Sequence, residues 1–201
     1  VAQEVVSAGL SANLSCGGGL FDPVFDPKTC HDCVAQEALA QRWHGYGDGQ
    51  IRFDASIHAE YTSRSELWKW TADFAKANGL GMHVHISETR KEHAECIQRH
   101  GKTPVQTLDR YGVWDVRGIA AHCVYTTAED WAILAAKGVS AVHNPCSNLK
   151  LGSGIAPVPA MKAAGVNVCL GTDGVSSNNN HDMFEEMKLA AILHNGAACD
   201  P

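Results

Sequence analysis

Residues 118–143, GIAAHCVYTTAEDWAILAAKGVSAVH, hold the pattern from which the fold is read. Gly118 to Cys123 is a short apolar run. Thr127 then opens a helical stretch with Glu129 and Asp130 in its first turn, and Lys137-Gly138 closes it ahead of a second apolar run, Val139 to His143. Acidic side chains at the start oppose the positive end of the helix dipole, and a glycine supplies the turn that ends it. Strand, helix and strand in that order form a crossover unit, the connection that parallel strands require.

The unit recurs on both sides. Leu10 to Ser15, Ile51 to Ile57, Met82 to Ile86 and Val166 to Leu170 complete a set of six strand candidates. Ser65 to Ala77 is the clearest further helix, with Leu67, Trp70, Thr71 and Phe74 at helical spacing and Asn78-Gly79 at its end. Trp68 and Trp70 stand two apart there, so at most one faces the core. Cys16 to His31, with three glycines, Asp22-Pro23 and Asp26-Pro27, reads as one long loop leading into a helix. The expected class is α/β, with near-continuous apolar strands in a parallel sheet buried on both faces. Two architectures fit: an open doubly wound sheet and a (β/α)8 barrel. The open sheet needs a glycine-rich phosphate turn, and the one candidate, Gly17-Gly18-Gly19, lacks the GxGxxG spacing and a helix directly after it.

Composition narrows the functions. Lys plus Arg number 16 against 22 Asp plus Glu, a formal charge of −6, which disfavours a nucleic-acid partner. Hydrophobic residues make up 45% of the 201, enough for a core, yet no apolar run reaches the about 18 residues of a membrane span. The eight cysteines are spread too evenly for a stapled scaffold; Cys123 and Cys169 lie inside apolar runs and read as buried thiols of a reducing, cytoplasmic protein. The chain starts at Val1 without a signal-peptide pattern and stops at Asp200-Pro201 just after a helical stretch, so both ends read as cut.

A barrel places its chemistry at the C-terminal ends of several strands. The strand ends here read SIHAEY with His58, MHVHISET with His85 and Glu88, AAHCVY with His122, AVHNPCSN with His143, and LGTDGVSSNN with Asp173. One histidine at a strand end is commonly structural. Five successive junctions with a histidine or carboxylate point to metal-assisted chemistry, since imidazole and carboxylate suit Zn²⁺ or Fe²⁺.

HVHISET, AAHCV, HNPCSNLKLGSGIAPVP and GTDGVSSNNNHDMFEEMKLA resemble the strand-5 to strand-8 motifs of the amidohydrolase superfamily. Within it they are similar to the branch of S-adenosylhomocysteine/5′-methylthioadenosine deaminases and triazine chlorohydrolases, over nearly the whole chain. The resemblance implies a TIM-type (β/α)8 barrel in which strands like the family's 3 to 8 are present and 1 and 2 are missing, so that residues 1–201 form one partial metal-dependent domain. It implies one divalent ion, zinc foremost and iron as the alternative, with His85 and Asp173 as metal ligands. Glu88 matches the carboxyl that binds the substrate and protonates its ring nitrogen. His122 matches the histidine that orients the attacking water, and Asp173 the general base. His58 and Ser177 match positions around the substrate.

The sequence departs from the family at one decisive point: no His-x-His pair precedes Leu10 to supply the other two ligands. His83-Val84-His85 has that spacing, but Ser87-Glu88 directly after it suits strand 5, and His83 is read as structural. His143 either stands near the metal pocket or holds the turn after its strand. His93 and His100, in the charged stretch RKEHAECIQRHG, are read as solvated. Cys30-x-x-Cys33, with His31 between, has no second CxxC and is read as structural.

The leading expectation is an aminohydrolase acting on the adenine ring of a small purine nucleoside, in a soluble homo-oligomer. Heterocycle chlorohydrolysis with the same machinery is the alternative. A non-catalytic binding or scaffold module is the alternative of another class.

Overall fold

The computed structural model describes residues 1–19 and 24–198. The middle of the expected Cys16 to His31 loop, with Asp22-Pro23, and the C-terminal Cys199, Asp200 and Pro201 lie outside the described residues. The chain divides into two compact units: residues 1–84 with 108–118, and residues 85–107 with 119–201.

The first unit carries helix α1 (Ala2–Ser7), strand β1 (Ala12–Cys16), helix α2 (His31–Trp43), the short kinked turn α3 (Tyr46–Gly49), strand β2 (Ile51–Ser56) and helix α4 (Ser65–Asn78). Strand β3 (Met82–Ile86) begins in it. β1 pairs in parallel with β2, and β2 with the start of β3. Asp54 of β2 joins these elements. Its buried carboxylate accepts from Asn13 Nδ2 at 2.6 Å, Gly81 N at 2.8 Å and Arg117 Nη2 at 2.6 Å. Gly81 allows this crowding, because a Cβ there would come within 2.8 Å of both the Arg117 carbonyl and the Asp54 carboxylate. Trp68 is buried against Tyr111, and Trp70 stacks on Phe74.

The second unit takes the end of β3, then α5 (Arg90–His100), most of α6 (Pro104–Asp109), β4 (Gly118–His122), α7 (Ala128–Lys137), β5 (Ser140–His143), α8 (Pro145–Lys150), α9 (Val158–Ala163), β6 (Asn167–Leu170), α10 (Val175–Asn178) and α11 (Met183–Ala198). β4 pairs in parallel with β5, and β5 with β6. The stretch quoted first thus folds as read. Thr127 caps α7, its hydroxyl accepting from Asp130 N while the Asp130 carboxylate accepts from Thr127 N, and Gly138 ends the helix at φ 65°.

Neighbouring strands follow chain order in each unit, β1-β2-β3 in one and β3-β4-β5-β6 in the other. A doubly wound sheet reverses its order at a switch point. The six strands are parallel, as in a barrel-type winding.

Burial on both faces does not hold throughout. β1 and β6 alternate between half-buried and exposed residues, with Asn13, Ser15, Asn167 and Cys169 on the open side. The strand period of two exposes every second residue whatever its apolarity, so Cys169 is an exposed thiol rather than a buried one. Among the described residues no helix is long and apolar enough to cross a membrane.

Candidate functional site

The backbone itself marks the site. Ser87 after β3, His122 and Cys123 at the end of β4 and Asp173 after β6 all take positive φ, at 48°, 72°, 52° and 61°. Residues with side chains enter this region at a cost, and such strain collects where side chains must be aimed. Hydrogen bonds from Cys123 N to the Ile86 carbonyl and from Tyr125 N to the Ser87 carbonyl, both 3.0 Å, tie the turn after β4 to the end of β3.

The ring of His85 lies against that of His122, with centroids 5.5 Å apart and planes 26° from parallel. His122 is buried, and its Nε2 stands 3.7 Å from Glu88 Oε2. Its Nδ1 meets Asn148 Oδ1 at 2.9 Å and Asn144 Nδ2 at 3.3 Å. Donation from Nδ1–H to Asn148 leaves Nε2 facing Glu88, so the partner behind the ring sets which nitrogen works in front. Glu88 Oε1 accepts from Ser153 Oγ at 3.3 Å, and the Glu88 side chain keeps 20% of its surface open.

Asp173 completes the group. Its Oδ2 accepts from Ser147 Oγ at 2.7 Å and its Oδ1 from Gly174 N at 2.7 Å. Burial raises its pKa, but the Ser147 hydroxyl, the Gly174 N–H and the charges of His122 and His85 outweigh that and hold it below the usual carboxylate range. An anionic carboxylate beside two imidazoles is a donor set whose chemistry fits a divalent ion such as zinc.

Helix α8 supplies the second layer. Pro145 at its first position sets the helical φ, and Asn144, Ser147 and Asn148, spaced three and four apart, present one polar buried face. Asn148 reaches His122 while Ser147 reaches Asp173. Behind Asp173, Asn178 Nδ2 donates to the Thr172 carbonyl at 2.7 Å and to Glu186 Oε1 at 2.6 Å, and Glu186 Oε2 accepts from Cys146 N at 3.1 Å. Glu88 has its own support. The Glu92 carboxylate accepts from Ser87 N and Glu88 N, each at 2.7 Å, as part of the capping box that starts α5 at Thr89.

Of the residues expected from sequence, His85, Glu88, His122 and Asp173 therefore gather in the second unit. Ser177 is half-buried on α10 after Asp173, its amide bonded to the Gly174 carbonyl. His58 belongs to the first unit, exposed, with Nδ1 3.1 Å from Thr62 Oγ1. His83 Nδ1 lies 3.3 Å from Ser15 Oγ. His93 is not solvated as expected: it is half-buried, its Nδ1 3.1 Å from Ser87 Oγ, because the first turn of α5 folds back over the end of β3. His100 is likewise half-buried rather than fully solvated. His143 is buried beside His194, with ring centroids 5.4 Å apart and neither ring nitrogen hydrogen-bonded. The polar face of α8 was the feature sequence reasoning missed. Its signal was present in HNPCSN, where three hydrogen-bonding side chains at helical spacing follow a strand end.

The chain belongs to the amidohydrolase family, whose pattern matches residues 16–201. It is 45% identical, over 100% of its length and 46% of the relative's, to a 5-methylthioadenosine/S-adenosylhomocysteine deaminase of Moorella thermoacetica. Among solved structures it resembles an adenosine deaminase from Xanthomonas campestris with bound zinc, at 32% identity and a TM-score of 0.87, covering 99% of this chain and 45% of that one. An atrazine chlorohydrolase from Arthrobacter aurescens complexed with zinc is similar at 25% identity and a TM-score of 0.81, over 97% of this chain and 45% of that one. The chain thus spans about half the length of these relatives and corresponds to part of the barrel.

Proposed function

We propose that residues 1–201 are part of one amidohydrolase barrel domain whose full-length protein hydrolytically deaminates the adenine ring of a 5′-modified adenosine, such as 5′-methylthioadenosine or S-adenosylhomocysteine. The observation that carries this reading is the grouping of Glu88 and Asp173 about His122 and His85, in a chain 45% identical to a deaminase of that class. When bound, a divalent ion held by His85, Asp173 and further ligands lowers the pKa of a water toward neutrality. Asp173, kept anionic by Ser147 and Gly174, receives the proton of the attacking water. His122, oriented from behind by Asn148, holds that water on the face of the ring. Glu88 delivers a proton from its carboxyl to the ring nitrogen next to the carbon under attack, so that the carbon becomes tetrahedral without charge building on the heterocycle. Asp173 passes its proton on to the amino group, which leaves as ammonia while the remaining hydroxyl proton returns to Glu88 and the carbonyl forms. His58 and Ser177 contribute to substrate binding in this reading, the metal is zinc, and the protein is a cytoplasmic homo-oligomer.

Chlorohydrolysis of a triazine-like ring uses the same residues and is the second reading, supported by the likeness to the atrazine enzyme. The higher identity to a deaminase favours ammonia as leaving group. Supplying the full-length protein with zinc, 5′-methylthioadenosine and, separately, a chlorinated triazine tests both. Ammonia release from the nucleoside at least about tenfold faster than chloride release is expected, and the reverse order overturns the assignment.

A further inference from the structure

The cysteine pair that opens α2 takes no part in the proposed reaction. Cys30 is the N-cap of the helix, in extended backbone, and its carbonyl accepts from Val34 N at 3.0 Å, so it is held to the first turn. Cys33 follows three positions on. These are the two positions whose groups meet in a capping box, and ordinary helix geometry sets Cα atoms three residues apart at about 5 Å, inside the roughly 4.4–6.8 Å that a disulfide spans. Both are thiols. Cys33 is fully buried and Cys30 retains 8% exposure. The Cys33 thiol is pushed far up in pKa, first by burial and then by a hydrogen bond with Cys30, with the charges of Cys30, Asp32 and Glu37 adding to it.

We propose that Cys30 and Cys33 are a redox-active dithiol that a small-molecule disulfide of the glutathione type converts into an intramolecular disulfide. Cys30, the less deeply buried of the two, passes its proton to water, and its sulfur attacks one sulfur of the external disulfide. The external S–S bond breaks, and one thiolate leaves and is protonated. Cys33 then gives up its proton and attacks the Cys30 sulfur of the mixed disulfide, expelling the second small thiol. Two S–H groups are oxidised by two electrons, and one external disulfide is reduced to two thiols. The protonated, buried state of Cys33 makes the second step the slow one, faster at higher pH. Two residues further along the helix, beyond Val34, Gln36 Oε1 accepts from Ser56 N at 2.8 Å, which links this first turn to the end of β2.

Trypsin releases residues 29–42 as one peptide, cut after Lys28 and Arg42, containing Cys30 and Cys33 and no other cysteine. The folded protein is incubated with oxidised glutathione, quenched, alkylated in denaturant and digested. The expected result is a peptide lighter by two hydrogens that takes up no alkyl groups, restored by dithiothreitol. Cys33→Ser should stop at a glutathione adduct on Cys30, and circular dichroism should show the helical fold intact throughout. The proposal is overturned by two alkyl groups on residues 29–42 once the exposed Cys169 has reacted. It is equally overturned by a disulfide from Cys30 to another cysteine, or by oxidation that occurs only after unfolding.

Discussion

Glu88 and His143 carry opposite lessons about single residues. Glu88 keeps a partly open carboxyl within reach of His122 and Ser153, and in the proposed reaction it donates a proton without binding metal. In the full-length protein Glu88→Gln is therefore expected to keep its zinc, measured by elemental analysis, and to lose about 10²- to 10⁴-fold in kcat. Zinc loss in that variant would make Glu88 a ligand instead. His143 is buried with both ring nitrogens unbonded, and burial first, then the like charges of His194 and His122, push it down to about 4. The neutral ring is thus the folded form, whereas in the unfolded chain it titrates near 6.5. Between those values the unfolded state binds more protons, so the contribution is full above about 6.5 and is lost as pH falls toward 4. Urea denaturation should show stability falling by up to about 3 kcal/mol over that window, less so in His143→Phe.

Elements here are joined by buried polar groups as much as by apolar contact. Asp54 on β2 is the clearest case, with donors from β1, from the turn before β3 and from Arg117 before β4. The Arg117 side chain is half exposed while the carboxylate is 2% exposed, so the pair is not a surface ion pair. Removing the guanidinium leaves a buried charge with two neutral donors, and Arg117→Ala is expected to cost about 3 kcal/mol in denaturant titration. A change below about 0.5 kcal/mol would mean that Asn13 and Gly81 suffice. The alternation of the strands was legible only in part: Val166 to Leu170 reads as a near-continuous apolar run broken at Asn167, yet Cys169 is exposed beside it on β6, so apolarity alone does not report two-sided burial.

On the scale of the whole molecule, the part that matches the family and the part that performs the chemistry need not coincide. The chain covers about half of its relatives, and the resemblance supplies two of the four protein ligands it implies, His85 and Asp173. Two ligands leave a divalent ion largely hydrated, without the fixed geometry that activates a water. The 201-residue chain alone is accordingly expected to hold zinc at least about 100-fold more weakly than the full-length protein in competition with a chromophoric chelator, and to release no ammonia from 5′-methylthioadenosine. Stoichiometric zinc and turnover in the isolated chain would show that His83 or another residue completes the site.

The sequence by itself determined the strand–helix alternation, the α/β class and the residues at the strand ends, because these depend on local periodicity, caps and short spacings. Glu88 lies three residues after His85, and that separation is readable in one dimension. The support of the site is not. Asn148 meets His122 across 26 residues, Ser147 meets Asp173 across another 26, and Ser153 meets Glu88 across 65. Each pairing depends on how β4, β5 and β6 are registered and on where α8 lies after its proline, so it exists only once the strands have paired. Tertiary structure also decided which histidines are buried. His93 differs from its expected surroundings because helix α5 folds back over Ser87, and His143 is buried because His194 of α11 lies beside it; neither approach leaves a trace in the residues next to them in the chain.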